Sequence, residues 1–90
     1  MMFHRNIKAI RECLGVSRAD FAQRVGCTHS QLKCWEQGTT EPSIHFINRI
    51  SEELQVDADI LMRGSLYAYT SYGLRKVLNS GTMKPRPKIG

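Results

Sequence analysis

Cys27, His29 and Cys34 are the first residues to test for metal binding, and Asp57 with Asp59 the first pair to test for acid–base work. Neither set has the spacing its chemistry needs. A structural zinc site takes four ligands in close pairs, and these three stand irregularly with no second pair to join them. Asp57 and Asp59 read instead as a helix cap and a first-turn acid. The 90 residues hold no glycine-rich phosphate loop, and no serine or cysteine with a histidine partner at a recognisable elbow. Redox use of Cys34 would need cations clustered around the thiol, and Lys33 stands alone there. The expectation is a chain that is not an enzyme and takes no metal or cofactor. A polar run remains, Thr28, His29, Ser30, Lys33 and Cys34, which offers donors and acceptors with one permanent charge. Its chemistry is recognition by hydrogen bonding.

For that run to face outward it must ride on a helix whose other side is apolar. Residues 18–38, RADFAQRVGCTHSQLKCWEQG, spell two short helices hinged at Gly26. Ala22 is small enough to let the two approach closely, Gly26 suits a turn of positive φ, and Leu32 points the second helix back into the core. Ser17 with Asp20, and Thr28 with Gln31, stand at capping-box spacing. Together these are the pattern of a DNA-reading helix-turn-helix. Leu32 and Trp35 form the inward face of the second helix, and Gly38 ends it.

The flanking elements follow from the same periodicity. Ile7, Ile10 and Leu14 form the apolar stripe of a first helix that stops at Gly15, with Arg5, Lys8 and Arg11 on its other face. Pro42 disfavours helix at Glu41 and leaves 39–42 as a loop. Ser43 caps a fourth helix with Ile44, Ile47, Ile50 and Leu54 as its stripe, and Asp57 caps a short fifth that buries Ile60 and Leu61. These five helices make an all-α domain over residues 1–64. Residues 65–78 form an aromatic segment in which Tyr67 and Tyr69 alternate as in a strand while Leu74, Val77 and Leu78 suit a helix; both assignments stay open. Residues 79–90, with two prolines and no periodicity, read as a basic tail that is disordered in isolation.

Size and charge narrow the partners. Ninety residues bury only a modest core, which favours compact helices or a dimer over a large catalytic cleft. The hydrophobic fraction of 41% and charged fraction of 23% are those of an ordinary soluble domain. No apolar run approaches the ~20 residues that span a membrane, and charges interrupt the N-terminus too often for a signal peptide. Three unpaired cysteines suit a reduced, cytoplasmic compartment. The net charge of +5 is unevenly placed: basic and acidic residues balance up to Arg63, and the excess lies in Arg75, Lys76, Lys84, Arg86 and Lys88, with no acid among them.

On Ala22, Gly26, Leu32, Trp35-Glu36-Gln37-Gly38 and Pro42-Ser43, the chain resembles the phage-repressor and Cro-type helix-turn-helix family, the lambda-repressor-like or XRE family, over roughly Ile7 to Met62. The resemblance implies a five-helix fold whose third helix lies in the major groove while the second crosses the backbone. It implies base contacts from His29, Ser30, Lys33 and Cys34; by side-chain chemistry, guanine or a phosphate suits Lys33 and a thymine methyl suits Cys34. It implies phosphate contacts from Arg18, Gln23, Thr28, Gln37, Thr39 and Thr40, and a structural bond within the fold for Glu36. Three positions depart from the family pattern. Gln55 stands where many members have glycine, Cys34 replaces a polar or basic residue, and Lys33 is the recognition helix's one permanent cation.

The implied function is a repressor, bacterial or phage-encoded, that binds double-stranded DNA as a homodimer on an inverted repeat. Tyr67, Tyr69, Tyr72 and Leu74 are the expected dimer interface, and Lys84, Arg86 and Lys88 the expected tail contacts to phosphate. Two alternatives stand beside it. One is an antitoxin or restriction-modification controller with the same fold, whose protein partner would be a toxin or antirepressor. The other is a protein-interaction module that docks through residues 66–78.

Overall fold

The computed structural model describes residues 2–81, and these form six α-helices and one 3₁₀ turn. The helices are α1 (Phe3–Leu14), α2 (Arg18–Val25), α3 (His29–Gln37), α4 (Ile44–Leu54), α5 (Ala58–Arg63) and α6 (Ser71–Ser80), with the 3₁₀ turn at Leu66–Ala68 between the last two. Local chemistry sets most of the boundaries. The Ser17 hydroxyl accepts from the Asp20 N–H, that of Ser43 from the Phe46 N–H, and the Asp57 carboxylate from the Asp59 N–H. At α3 the full reciprocal box forms: Thr28 Oγ1 accepts from the Gln31 N–H at 3.0 Å, and Gln31 Oε1 accepts from the Thr28 N–H at 2.9 Å. Among the described residues no helix is long and apolar enough to cross a membrane.

The turn between α2 and α3 calls for glycine through its backbone, and a side chain there would also have to displace the tip of Arg49. Gly26 has φ 78°, the left-handed region, and a Cβ there would stand 2.6 Å from the guanidinium of Arg49 on α4. The turn after α4 has the same left-handed shape without glycine. Gln55 sits at φ 56°, and its side-chain amide donates back to the Glu52 carbonyl at 2.7 Å.

One core serves all six helices. Phe3, Ile7 and Ile10 of α1 pack with Phe21, Ala22 and Val25 of α2, Leu32 and Trp35 of α3, Ile47 and Ile50 of α4, and Leu61 of α5. Three stripe residues depart from expectation. Ile44, the first residue of α4, is 64% exposed. Its place on the inner face is taken by Phe46, whose ring packs on Trp35 at 5.2 Å between centroids. Leu14 is largely exposed at the last turn of α1, and Ile60 is half-buried.

The segment with two open assignments is helical. Thr70 caps α6 through the Gly73 N–H, and the helix runs through Asn79 and Ser80, two residues into the stretch assigned to the tail. Tyr67 belongs to the 3₁₀ turn and Tyr69 follows it, so their alternation belongs to the turn and not to a strand. Leu66 and Leu74 complete the same core as the other helices, so residues 65–80 are part of the domain.

Buried polar contacts join this extension to α1. Asn6 is fully buried in the stripe of α1, and its Nδ2 donates to the carbonyls of Leu61 at 2.9 Å and Gly64 at 2.8 Å, with Ile60 at 3.4 Å. Its Oδ1 accepts from the Tyr67 N–H. One amide thus ends α5 and starts the 3₁₀ turn. Further along α1, Cys13 Sγ donates to the Ser71 carbonyl, and Arg75 donates to the Cys13 carbonyl at 2.9 Å.

Candidate nucleic-acid interface

Helix α3 presents two chemically different sides. Leu32, Trp35 and Glu36 are buried, while His29, Ser30, Lys33 and Gln37 are exposed. At 3.6 residues per turn those four exposed side chains share one arc of about 100°. The arc carries an imidazole, a hydroxyl, an ammonium and a carboxamide, which are groups that fit base edges and phosphate oxygens. Cys34, at the border of the arc, is half-buried, so only its outer edge is available for an apolar contact.

The other expected contact residues lie on α2, at the α3 cap and in the loop after α3. Thr39 and Thr40 are exposed in the loop after Gly38, and Gln23 is exposed on α2. Thr28 is exposed too, and its hydroxyl already serves as the α3 cap. Arg18, at the first turn of α2, is partly exposed, with its Nε donating to Glu36 Oε1 at 3.0 Å.

Glu36 anchors more than Arg18. Arg11 Nε donates to its Oε2 at 2.7 Å, and the Arg11 Nη2 donates to its Oε1 at 3.0 Å. This is a bidentate pair of the strong, charge-assisted kind. The hydrogen bond to Glu36 raises the Arg11 pKa above its already high value, against the opposing effect of burial. Arg11 therefore does not lie on the solvent face with Arg5 and Lys8, as its periodicity predicts; it turns inward to meet α3. No sequence rule links residues 11 and 36. The hint was the acid itself, placed next to Trp35 on an inward helix face.

The expected dimer residues divide. Tyr72 is 78% exposed, and Tyr69 and Tyr67 are also exposed. The ring of Tyr67 lies under the Arg5 guanidinium, 5.5 Å from its centroid. Leu74 is 1% exposed. It is not available to a partner, because it fills the space between α6 and the rest of its own core. Lys84, Arg86 and Lys88 lie outside the described residues.

Among the described residues, no group of three His, Cys, Asp or Glu side chains is placed to hold a metal ion. The three cysteines are free thiols, and burial pushes the Cys27 thiol up, away from the reactive thiolate.

Comparison with known proteins agrees with this geometry. A family model described as Helix-turn-helix matches residues 7–61, from the middle of α1 to α5. Neither curated proteins nor solved structures give a match. The family match spans more than half of the chain and contains the α2–α3 pair and the exposed arc. The protein belongs to the XRE, lambda-repressor-like helix-turn-helix family and is a DNA-binding transcriptional regulator of that type.

Proposed function

We propose that the protein is a sequence-specific repressor that binds an inverted repeat as a homodimer, with α3 of each copy in the major groove. The carrying observation is the exposed arc of His29, Ser30, Lys33 and Gln37, bordered by Arg18, Thr39 and Thr40. In this reading His29, Ser30 and Lys33 read base edges, with Cys34 at a thymine methyl. Arg18, Gln23, Thr28, Gln37, Thr39 and Thr40 hold the backbone. Lys33 is the arc's one permanent charge, so the cations of the tail add affinity through counterion release without reading sequence.

Dimerisation follows from the small size of a single reading head. One module buries too little DNA surface for tight, specific binding, and a pair reads two half-sites about 34 Å apart on one face of the duplex. The exposed Tyr67, Tyr69 and Tyr72 are the surface we assign to the partner copy, a residue type favoured at such interfaces. The same tyrosines support a second reading, in which they dock a different protein.

Selection of bound duplexes from a random pool at ~150 mM salt tests the proposal. Enrichment of an inverted repeat is the expected result. Enrichment of one short half-site would remove the dimer. Binding that enriches nothing and fades with salt would remove sequence reading altogether.

A further inference from the structure

Glu36 is where the core of the fold meets the proposed DNA surface. It stands on α3 between Lys33 and Gln37, with a side chain only 1% exposed, and its two oxygens accept three hydrogen bonds. Arg11 provides two of them and spends its Nη1 on the Val16 carbonyl at 3.1 Å. Arg18 provides the third through Nε alone. Its two Nη groups have no partner among the described residues, and its side chain is 32% exposed. Two guanidiniums on one carboxylate leave one positive charge uncompensated. Arg11 is the more buried and the more fully bonded of the two, so the free charge is carried at the Nη edge of Arg18.

A guanidinium is a rigid planar fork, and pinning its Nε sets the direction of its two Nη groups. We propose that Glu36 is a positioning residue that aims the Nη edge of Arg18 at one backbone phosphate. Because Glu36 rides on α3, that phosphate contact is tied in register to the base-reading arc. The inference rests on α3 being the reading helix. An untethered phosphate contact strengthens binding to every sequence alike. A tethered one contributes most when α3 is seated on its own site, so Arg18 adds discrimination as well as affinity.

Arg18→Lys and Arg18→Gln separate these roles. Both leave the Arg11–Glu36 pair in place, and thermal melts check that both variants fold. Each is titrated across a range of salt against the duplex enriched by selection and against a scrambled duplex of equal length. Arg18→Lys keeps the charge and loses the fork. It is expected to bind the scrambled duplex as the wild type does, and the enriched one about tenfold more weakly, with the salt slope unchanged. Arg18→Gln is expected to lower the slope by about one unit on both duplexes. Introduced into Glu36→Gln protein, Arg18→Lys is expected to lose most of its tenfold effect, since the carboxamide has lost its charge and leaves one oxygen for three guanidinium donors, so the fork is no longer held in one direction.

Wild-type behaviour of Arg18→Lys on the enriched duplex, or equal weakening on both, would make Arg18 a point charge and overturn the proposal. A tenfold effect that persists in Glu36→Gln would overturn the part played by Glu36. Failure of the wild type to prefer any duplex would overturn the reading of α3 itself, and it would be seen before any variant is made.

Discussion

The two flanks of α1 carry one buried polar knot each, and the knots are built to different ends. On one flank the Asn6 amide is sealed in the core, and all its partners are backbone groups of α5, Gly64 and the 3₁₀ turn. On the other flank Arg11 reaches α3 and joins a carboxylate shared with Arg18. The first knot is neutral and closed. The second is charged, with one edge open to solvent. A neutral knot with every group satisfied serves the fold and has nothing to offer a ligand. A charged knot with one free cation joins the fold to whatever anion meets that edge.

Disrupting the closed knot has the largest expected effect. Asn6→Leu strands the Leu61 and Gly64 carbonyls and the Tyr67 N–H, and should cost about 3 kcal/mol in urea unfolding. A loss under about 1 kcal/mol would mean that the α5 end and the 3₁₀ turn hold themselves together. Glu36→Gln should cost less, about 2 kcal/mol, because the carboxamide keeps one acceptor oxygen and the partly exposed Arg18 can turn toward water. A cost above that of Asn6→Leu would reverse the ranking of the two flanks.

The sign of the Arg11 shift adds a control. A raised folded-state pKa on a cation gives stability that is complete below the unfolded value and lost only as pH rises through the folded one. Arginine lies far above neutrality on both counts, so wild-type and Glu36→Gln stabilities should stay parallel between about pH 7 and 9. Divergence in that window would point to another titrating group in the charged knot.

Lys33→Ala tests the open side where binding is read. Stability should stay within about 0.5 kcal/mol, while discrimination between enriched and scrambled duplexes falls by about 1–3 kcal/mol. Neutralising Lys84 and Arg86 should weaken both duplexes alike; equal loss of discrimination from the two changes would break the division of roles. The smallest effect is expected away from both knots. Gln55→Gly relieves a left-handed residue and should stabilise by about 0.5 kcal/mol after the entropy of the added glycine is counted, read as a small rise in Tm.

The reading of the sequence succeeded where the physics is local. Ser17, Thr28, Ser43 and Asp57 cap helices because a short side chain meets an N–H two or three residues on, so spacing alone reveals them. Gly26 and Gly38 mark turns through an equally local rule, the ease with which glycine takes positive φ, and Leu32 and Trp35 show their inward face by period. The reading missed where a partner comes from far along the chain. Asn6 sits at an apolar phase of α1, but nothing local says that its partners lie at 60–67. Arg11 looks like one more outward base until α3 is placed beside it. Tyr67 and Tyr69 imitate strand alternation, while the cap that starts α6 is Thr70, one residue beyond them.

The amino-acid sequence by itself determined the first five helices, the glycine hinge between α2 and α3, the polar arc of α3 and the family to which the chain belongs, because caps, breakers and periodicity act within a few residues. Only the tertiary structure decided which polar residues are buried, that Leu74 belongs to the core and not to a partner, and that Arg18 is held by Glu36. Those outcomes depend on surfaces brought together from distant parts of the chain, where burial makes each polar group find a partner or pay for lacking one.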